Sequence, residues 1–313
     1  MPPAVGGWAA TENDWRLFRQ FARPKVPKSL VQMIYLSKFV IRKGMVMIYT
    51  STDFDREQTA EYTLLVRIGS GENALAVVDG EKRLKLITTY DPAAAGQEIT
   101  DLLDLNFTAV KLSLQGSRYT FIPQEVFDEA STQLYLNHLP YDGLAETVTA
   151  DIAPLSIKML HQIDRLGAES FLARFPGILT YSAMQALLQS TANYGLKTGD
   201  PLLIIDKQES DLMVCFFDGN RFVYANDFAI TGIDDNAYYL YAVLEHLGGG
   251  ECHPRVCLSG NIAEGDGIHQ WALMHGIDVV FADSGALVGI AIPTEIVPQQ
   301  HRFLTLLGLH LCE

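Results

Sequence analysis

The feature that most constrains the fold is an internal repeat in which two stretches of the chain match at an offset of 139 residues. Both stretches alternate apolar side chains and then reach an Asp-Gly pair, which favours a β-hairpin because glycine accepts a positive φ. A third strand-like run follows each turn, at residues 83–90 and 221–228. The sequence therefore predicts two copies of a three-strand antiparallel meander. The matched positions are 64–66 with 203–205, 75–78 with 214–217, and 79–80 with 218–219.

The hydrophobic period changes after the second meander from two residues to 3.6, which indicates helices. The predicted elements are a helix capped by Asp234 or Asp235, a strand at 255–258, a helix around Trp271 and a strand at 277–282. Three antiparallel strands followed by helix, strand, helix and strand are the order of a ribonuclease-H-like unit.

The first copy has the same beginning, with a predicted helix at 95–105 and a fourth strand at 108–114. A short strand at 119–123 follows, and residues 145–192 read as a strand and helix pair that is repeated. We interpret this stretch as a small inserted α+β subdomain. The predicted divisions are a basic extension at 1–50, a first half at 51–140, the insertion at 141–196 and a second half at 197–313.

Composition and charge argue against membrane insertion, secretion and nucleic-acid binding. No run of about eighteen uncharged apolar residues is present, and the N-terminus has no secretory signal pattern, so we expect a cytoplasmic protein without membrane insertion. The four cysteines are irregularly spaced and predict reduced thiols. The net charge of −14 disfavours nucleic-acid binding by the acidic body.

The N-terminal stretch differs from the rest because eight lysines and arginines lie between Arg16 and Lys43 with no acidic residue among them. This stretch is either a basic arm that binds a polyanion or a partner, or an upstream extension from a start codon assigned too early, since Met45 and Met47 precede the organised part.

Three short motifs carry a family resemblance: Asp53-Phe54-Asp55, the run 119–123 before Phe127, and the tail from His301 to Glu313. With the duplicated halves, they resemble a bacterial family of uncharacterised proteins that adopts the actin-like ATPase fold. In outline the chain is also similar to the actin-like assembly proteins of type IV pili. The resemblance covers about residues 47–313 and implies a fold of two ribonuclease-H-like halves, without an established activity.

The resemblance also implies where a nucleotide would bind. In the actin-like fold, one glycine-bearing turn from each half holds the phosphates beside an acidic residue that acts on Mg²⁺, and a third turn holds the adenosine. The first turn here keeps its glycines but has Arg67 where an acid is expected, and the second keeps the acid but has no glycine. The residues that would contact ATP or ADP with Mg²⁺, if a nucleotide binds, are Gly69, Ser70, Gly71, Asp206, Ser259 and Gly260.

Each turn has thus lost a different component, so we do not expect Mg·ATP hydrolysis. The favoured interpretation is a noncatalytic actin-like scaffold that binds an unidentified protein partner. The alternative is an ATP-binding actin-like ATPase or kinase. A nuclease and a zinc site from His246, Cys252, His253 and Cys257 are both disfavoured, because the spacing does not predict convergence of the required ligands.

Two other segments carry expectations. Tyr238, Tyr239 and Tyr241 are expected to pack between the two halves, with a partner-binding face as the other possibility. The apolar residues from Phe303 to Leu311 have helical spacing and are expected to dock on the second half.

Overall fold

The computed structural model describes residues 45–114, 118–137, 139, 146–163, 168–232, 234–249 and 252–313. All of them belong to one unit, residues 42–313. The strands are β1 Met45–Thr50, β2 Thr63–Ile68, β3 Asn73–Val78, β4 Leu84–Tyr90, β5 Ala109–Leu114, β6 Arg118–Pro123, β7 Glu146–Ile152, β8 Ile157–Ile163, β9 Leu179–Ser182, β10 Leu202–Lys207, β11 Asp211–Asp218, β12 Arg221–Ala229, β13 Arg255–Gly260 and β14 Asp278–Phe281. The α-helices are α1 Gln97–Leu103, α2 Thr132–Leu136, α3 Glu169–Arg174, α4 Ala183–Thr198, α5 Asp235–His246, α6 Gly267–His275, α7 Ser284–Val288 and α8 Leu304–Gly308.

Two sheets of matching strand order confirm the predicted duplication. The first sheet has the order β1-β4-β3-β2-β5-β9 and the second has the order β12-β11-β10-β13-β14. In each, the meander runs antiparallel and its first strand also pairs in parallel with the fourth strand of its half, β2 with β5 and β10 with β13. Side chains on both faces of β3 are buried, as expected of a strand inside a layered α/β fold.

The first sheet begins earlier than the predicted boundary. Strand β1 lies within the predicted extension at 1–50, yet it pairs antiparallel with β4 from Met45↔Tyr90 to Thr50↔Leu86. The basic stretch from Arg16 to Lys43 lies outside the described residues, and its two alternative explanations stay open.

The inserted sheet also divides the chain differently from the predicted bounds of 141–196. A three-stranded antiparallel sheet in the order β6-β8-β7 begins at Arg118, before residue 141. Strand β9 and helix α4 fall inside the predicted insertion, but β9 pairs in parallel with β5 and completes the first sheet. A four-residue strand carries too little periodicity to reveal its partner, so the sequence could not assign β9 to a sheet.

The sequence predicted that the C-terminal segment docks on the second half. The segment instead lies in the core between the two sheets. It consists of a 3₁₀ helix at Val297–Phe303, helix α8, and a 3₁₀ turn at Leu309–Leu311. Helix α8 contacts α4, β2 and β3 as well as β13. Leu304, Leu306, Leu307 and Leu309 are all fully buried, so the segment requires cover from both halves.

The tyrosines of α5 do not lie between the halves, so that expectation was wrong. Tyr239 stacks on Phe228 with ring centroids 4.5 Å apart, and both pack against the core of the second half. Tyr238 and Tyr241 are exposed on the outside of that half. In the part of the chain that the structure describes, no helix has the length and apolar character needed to span a bilayer.

Candidate functional site

The two turns predicted to hold phosphate face each other at the ends of β2 and β10. Ser70 Oγ, in the first turn, donates to Glu209 Oε2, in the second, at 3.5 Å. These two residues are 139 positions apart, which is the offset of the sequence repeat. The repeat therefore places equivalent residues of the two halves opposite one another across the cleft.

Asp206 lies at the end of β10 and is completely buried. The parallel register of β10 and β13 places Asp206 beside Ser259, whose Oγ donates to Asp206 Oδ2 at 2.7 Å. Gln208 Nε2 donates to Asp206 Oδ1 at 2.5 Å. Burial raises the pKa of Asp206, and the hydrogen bonds from Ser259 and Gln208 partly oppose that shift. Both carboxylate oxygens of Asp206 thus accept hydrogen bonds from the protein inside the fold. A carboxylate that binds magnesium instead needs an oxygen that is free to coordinate the ion.

Arg67 occupies the equivalent position in the first half and is also buried. Its guanidinium lies 3.7 Å from Glu72 Oε1 and donates to the carbonyl oxygen of Arg302 at 3.5 Å. Burial lowers the pKa of Arg67, and the charges of Asp206 and then Glu72 oppose the shift. The charges of Arg67 and Asp206, one from each half, therefore act on one another in the interior.

The exchange of an acid for an arginine has a visible consequence at Ser113. In the first half Ser113 pairs with Arg67 in the same parallel register that brings Ser259 to Asp206. Arginine has donors but no acceptor, so it cannot accept from the serine hydroxyl. Ser113 Oγ is buried and has no hydrogen-bond partner among the described residues.

The glycine turn is occupied by the protein's own groups. The N–H of Gly69 donates to Asn73 Oδ1 at 3.2 Å, so it is not free for a ligand. The carboxylate of Glu209 lies over Gly71, since a Cβ built on that glycine would be 2.8 Å from Glu209 Oε2. An anion at this turn would have to displace a carboxylate that lies in its place.

The second turn is too short to surround a phosphate. The N–H of Gln208 donates to the carbonyl oxygen of Asp211 at 2.8 Å, which closes a hairpin with only Glu209 and Ser210 between them. Lys207 Nζ donates to the carbonyl oxygen of Glu209 at 2.8 Å, and burial lowers its pKa. The lysine side chain therefore binds the backbone of its own turn.

Gly260 is required by the fold whether or not a nucleotide binds. Its φ is +78°, and a Cβ at this position would lie 2.2 Å from the carbonyl oxygen of Lys207. Gly260 pairs with Lys207 in the β10–β13 register. The Ser-Gly pair after β13 thus has a structural explanation in the close approach of two backbones.

A cavity of about 390 Å³ remains between the turns, lined by Glu72, Glu209, Asn261, Ile262, Ala263, Asp266 and Arg302. Asp266 is engaged at the start of α6, where its carboxylate accepts from the N–H groups of Ala263 and His269. The cavity thus contains three carboxylates and one guanidinium, a charge balance that repels a polyphosphate. The sequence did not single out Glu209 or Arg302; the repeat offset from Ser70 could have indicated Glu209, but Arg302 has no local signal.

A second concave site lies where the inserted sheet meets the first half. It is a groove of about 410 Å³, lined by Val148, Thr149, Ala150, Asp151, Ala153, Thr180, Tyr181, Gln185, Gln189, Leu311 and Glu313. Its two sides are β7 and β9, and each is the outermost strand of its sheet. Gln185 is buried, and its Oε1 has no hydrogen-bond partner among the described residues. The groove therefore offers outer strands and a buried acceptor that is not satisfied.

The motif Asp53-Phe54-Asp55 has a structural position away from the cleft. Asp53 Oδ2 lies 2.7 Å from Nζ of the buried Lys85, which lowers the pKa of Asp53 to about 2. Lys85 also lies 3.3 Å from Asp79, in the turn of the first meander. Asp55 caps the 3₁₀ helix Arg56–Glu61. The motif thus connects the start of the described fold to the meander.

A family model described as "Protein of unknown function (DUF3822)" matches residues 51–273. The chain belongs to this family. The matched region includes the motif at Asp53, both meanders and the inserted sheet. No curated protein gives a significant match to this DUF3822 protein.

Solved structures confirm the actin-like ATPase fold for the DUF3822 chain. One is a Bacteroides thetaiotaomicron VPI-5482 protein with an actin-like ATPase fold and unknown function, at a TM-score of 0.66 and 14% identity, covering 83% of this chain and 99% of that one. Another is the PilM-PilN type IV pilus biogenesis complex, at a TM-score of 0.60 and 14% identity, covering 81% of this chain and 98% of that one. At these identities the likeness concerns the fold alone.

Proposed function

We propose that this DUF3822 protein is a noncatalytic actin-like scaffold that binds a protein partner and has a degenerate nucleotide site. The observation that carries the proposal is the position of Glu209, whose carboxylate lies over Gly71 and accepts from Ser70 in the glycine turn. A side chain of the second half thereby lies against the glycine turn of the first half, which is the turn that holds phosphate in the actin-like fold.

The electrostatics of the cleft support the absence of ATP hydrolysis. A carboxylate about 4 Å from a phosphate oxygen opposes binding by roughly 1–4 kcal/mol, depending on the local dielectric. Glu72 and Glu209 line the remaining cavity, and Asp206 is buried with two protein donors. Arg302 is the one cation among the described residues that line this cavity, and Arg67 is buried beside Glu72.

The groove between β7 and β9 is the proposed partner site. An extended polypeptide can add to an outer strand through backbone hydrogen bonds, with side-chain pockets supplying specificity. A backbone N–H of such a segment would satisfy the buried Gln185 Oε1, and a basic side chain would complement Asp151 and Glu313. The PilM chain of similar fold is part of a complex with PilN, which is consistent with partner binding by this architecture.

We further propose a cytoplasmic location. All four cysteines lie in the described part of the chain and are free, and Cys215, Cys257 and Cys312 are buried. Disulfide-free cysteines are typical of a reducing compartment.

Selection of extended twelve-residue peptides from a displayed random library tests the groove. The Thr149→Trp variant fills the groove from the exposed side of β7, and Glu146→Trp places the same side chain on the same strand outside it. Selected peptides should bind the wild type and Glu146→Trp but bind Thr149→Trp at least about tenfold more weakly. Equal binding to all three proteins would contradict the groove, and phosphate release from Mg·ATP above background would favour the ATPase or kinase alternative.

A further inference from the structure

The groove between β7 and β9 carries a negative charge that its own lining does not balance. Among the described residues that line it are two acids, Asp151 and Glu313, and no lysine, arginine or histidine. Asp151 is already paired, because Lys158 Nζ lies 2.6 Å from its Oδ1. Glu313 makes no ion pair within the described part of the chain. Since a charge in a concave site concentrates ions of the opposite sign, the groove favours a positively charged ligand through Glu313.

The position of Glu313 on the groove wall is fixed by the residues before it. Cys312 is fully buried, and its carbonyl oxygen accepts from Tyr181 Oη at 3.5 Å and from Lys111 Nζ. Lys111 Nζ also donates to the carbonyl oxygen of His310 at 3.3 Å. The ammonium of Lys111 acts on Glu313 electrostatically but forms no ion pair with it. The carboxylate of Glu313 is therefore held at the groove and is open to an external cation.

A second group in the groove also requires a donor. Gln185 lies in the first turn of α4, is only 1% exposed, and lines the groove. Its Oε1 has no hydrogen-bond partner among the described residues, and a buried acceptor without a donor is costly. Ammonium and guanidinium groups carry several N–H donors and no acceptor. One basic side chain in this groove of about 410 Å³ can therefore donate to Gln185 and pair with Glu313.

Strand β7 determines how an extended segment would lie in the groove. Gln189 Nε2, from α4, donates to the carbonyl oxygen of Asp151 at 2.9 Å, so this carbonyl points away from β8. In an antiparallel strand the backbone groups of alternate residues point to the same side, so those of Thr147 and Thr149 also point away from β8. A segment can thus pair with Thr147 and Thr149, and the pairing ends where Gln189 occupies Asp151.

The side chains of such a segment alternate between two faces. Val148 and Ala150 pack against the core beneath the groove, so the residues of the segment opposite them also point inward, towards α4 and Gln185. We propose that the partner of this DUF3822 protein is an extended segment that pairs with β7 and inserts one lysine or arginine towards Gln185 and Glu313. The proposal rests on the proposed function, because it names the ligand class of the same groove.

The sequences of the peptides selected from the displayed library test this proposal. Peptides that bind the wild type but not Thr149→Trp should share a lysine or arginine at one aligned position, with restricted side chains two residues away and varied ones in between. Glu313→Lys should weaken their binding at least about tenfold, and selection on that variant should give aspartate or glutamate at the same position. Glu264→Lys makes the same charge change at an exposed residue outside the groove and should leave binding unchanged.

Gln185→Met removes the buried acceptor at similar volume. It should weaken peptide binding at least about fivefold without lowering the unfolding temperature, which shows that the variant is folded. Groove-dependent peptides without a shared basic position, or with unchanged affinity for Glu313→Lys or Gln185→Met, would overturn this proposal and leave the proposed function standing. If no selected peptide depends on the groove, both are overturned.

Discussion

The buried arginine in the cleft gives a quantitative prediction for the Arg67→Met variant. Methionine keeps much of the apolar volume but removes the cation whose charge acts on the buried Asp206 and which lies 3.7 Å from Glu72. Breaking a buried ion pair by removing one partner costs about 3–5 kcal/mol. Asp206 keeps its hydrogen bonds from Ser259 and Gln208, so we expect about 3 kcal/mol, at the lower end.

The assay is reversible urea unfolding of wild type, Arg67→Met, Asp206→Asn and the double variant. If the two charges compensate one another, the double variant should be more stable than the sum of the single changes predicts, by about 1–2 kcal/mol. Arg83→Met serves as the matched control, because Arg83 is largely exposed and its ion pairs are screened by solvent, so its removal should change stability little.

The same series has a predicted pH dependence. The folded-state pKa of Asp206 is raised by burial, so its stabilising contribution is complete below its unfolded pKa and is lost as pH rises through the folded value. Removal of Arg67 should raise that pKa further. The stability deficit of Arg67→Met should therefore be smaller at pH 4 than at pH 8. Strict additivity in the cycle, or a deficit independent of pH, would refute the compensation of Arg67 by Asp206.

Three further changes test buried parts of the fold by thermal unfolding. Gly308→Ala should cost about 1–3 kcal/mol, because its Cβ would lie 2.2 Å from Ser190 Oγ, whereas Gly177→Ala, with nothing within 4 Å, should be nearly neutral. Deleting residues 304–313 should abolish cooperative unfolding, since α8 lies in the core between the two sheets and contacts both; an unchanged curve would contradict its position. Burial lowers the pKa of His161 from 6.5 to about 4, so unfolding should become easier as pH falls through that window, by up to about 3 kcal/mol. His161→Leu should remove this acid sensitivity, and an unaltered pH profile would exclude His161 as its source.

The fold could be predicted from the sequence where the signal was periodic and repeated. The shared register of residues 64–66 and 203–205 identified both meanders, and the period of 3.6 located α5 and α6. Pairings between distant strands left no such signal. The assignment of β9 to the first sheet depends on its parallel register with β5, which no local pattern encodes.

The candidate site was only partly predictable for the same reason. The sequence shows that Arg67 stands where the actin-like fold has an acid and that the turn beside Asp206 has no glycine. Both differences suggested a degenerate nucleotide site. The sequence could not indicate that Glu209 crosses to Gly71, or that Arg302 approaches Arg67 from 235 residues away, because these contacts depend on how the two halves meet.

Thermal unfolding with Mg·ATP tests the central claim most directly. At about 5 mM ligand, a site with a Kd of about 50 µM would stabilise the fold by about 2.7 kcal/mol, which is a shift of several degrees. The closed glycine turn predicts a shift below about 1 °C, equal to that with magnesium tripolyphosphate as the nonspecific control. A saturable shift with Mg·ATP that clearly exceeds the control would contradict the noncatalytic scaffold and favour an ATP-binding protein.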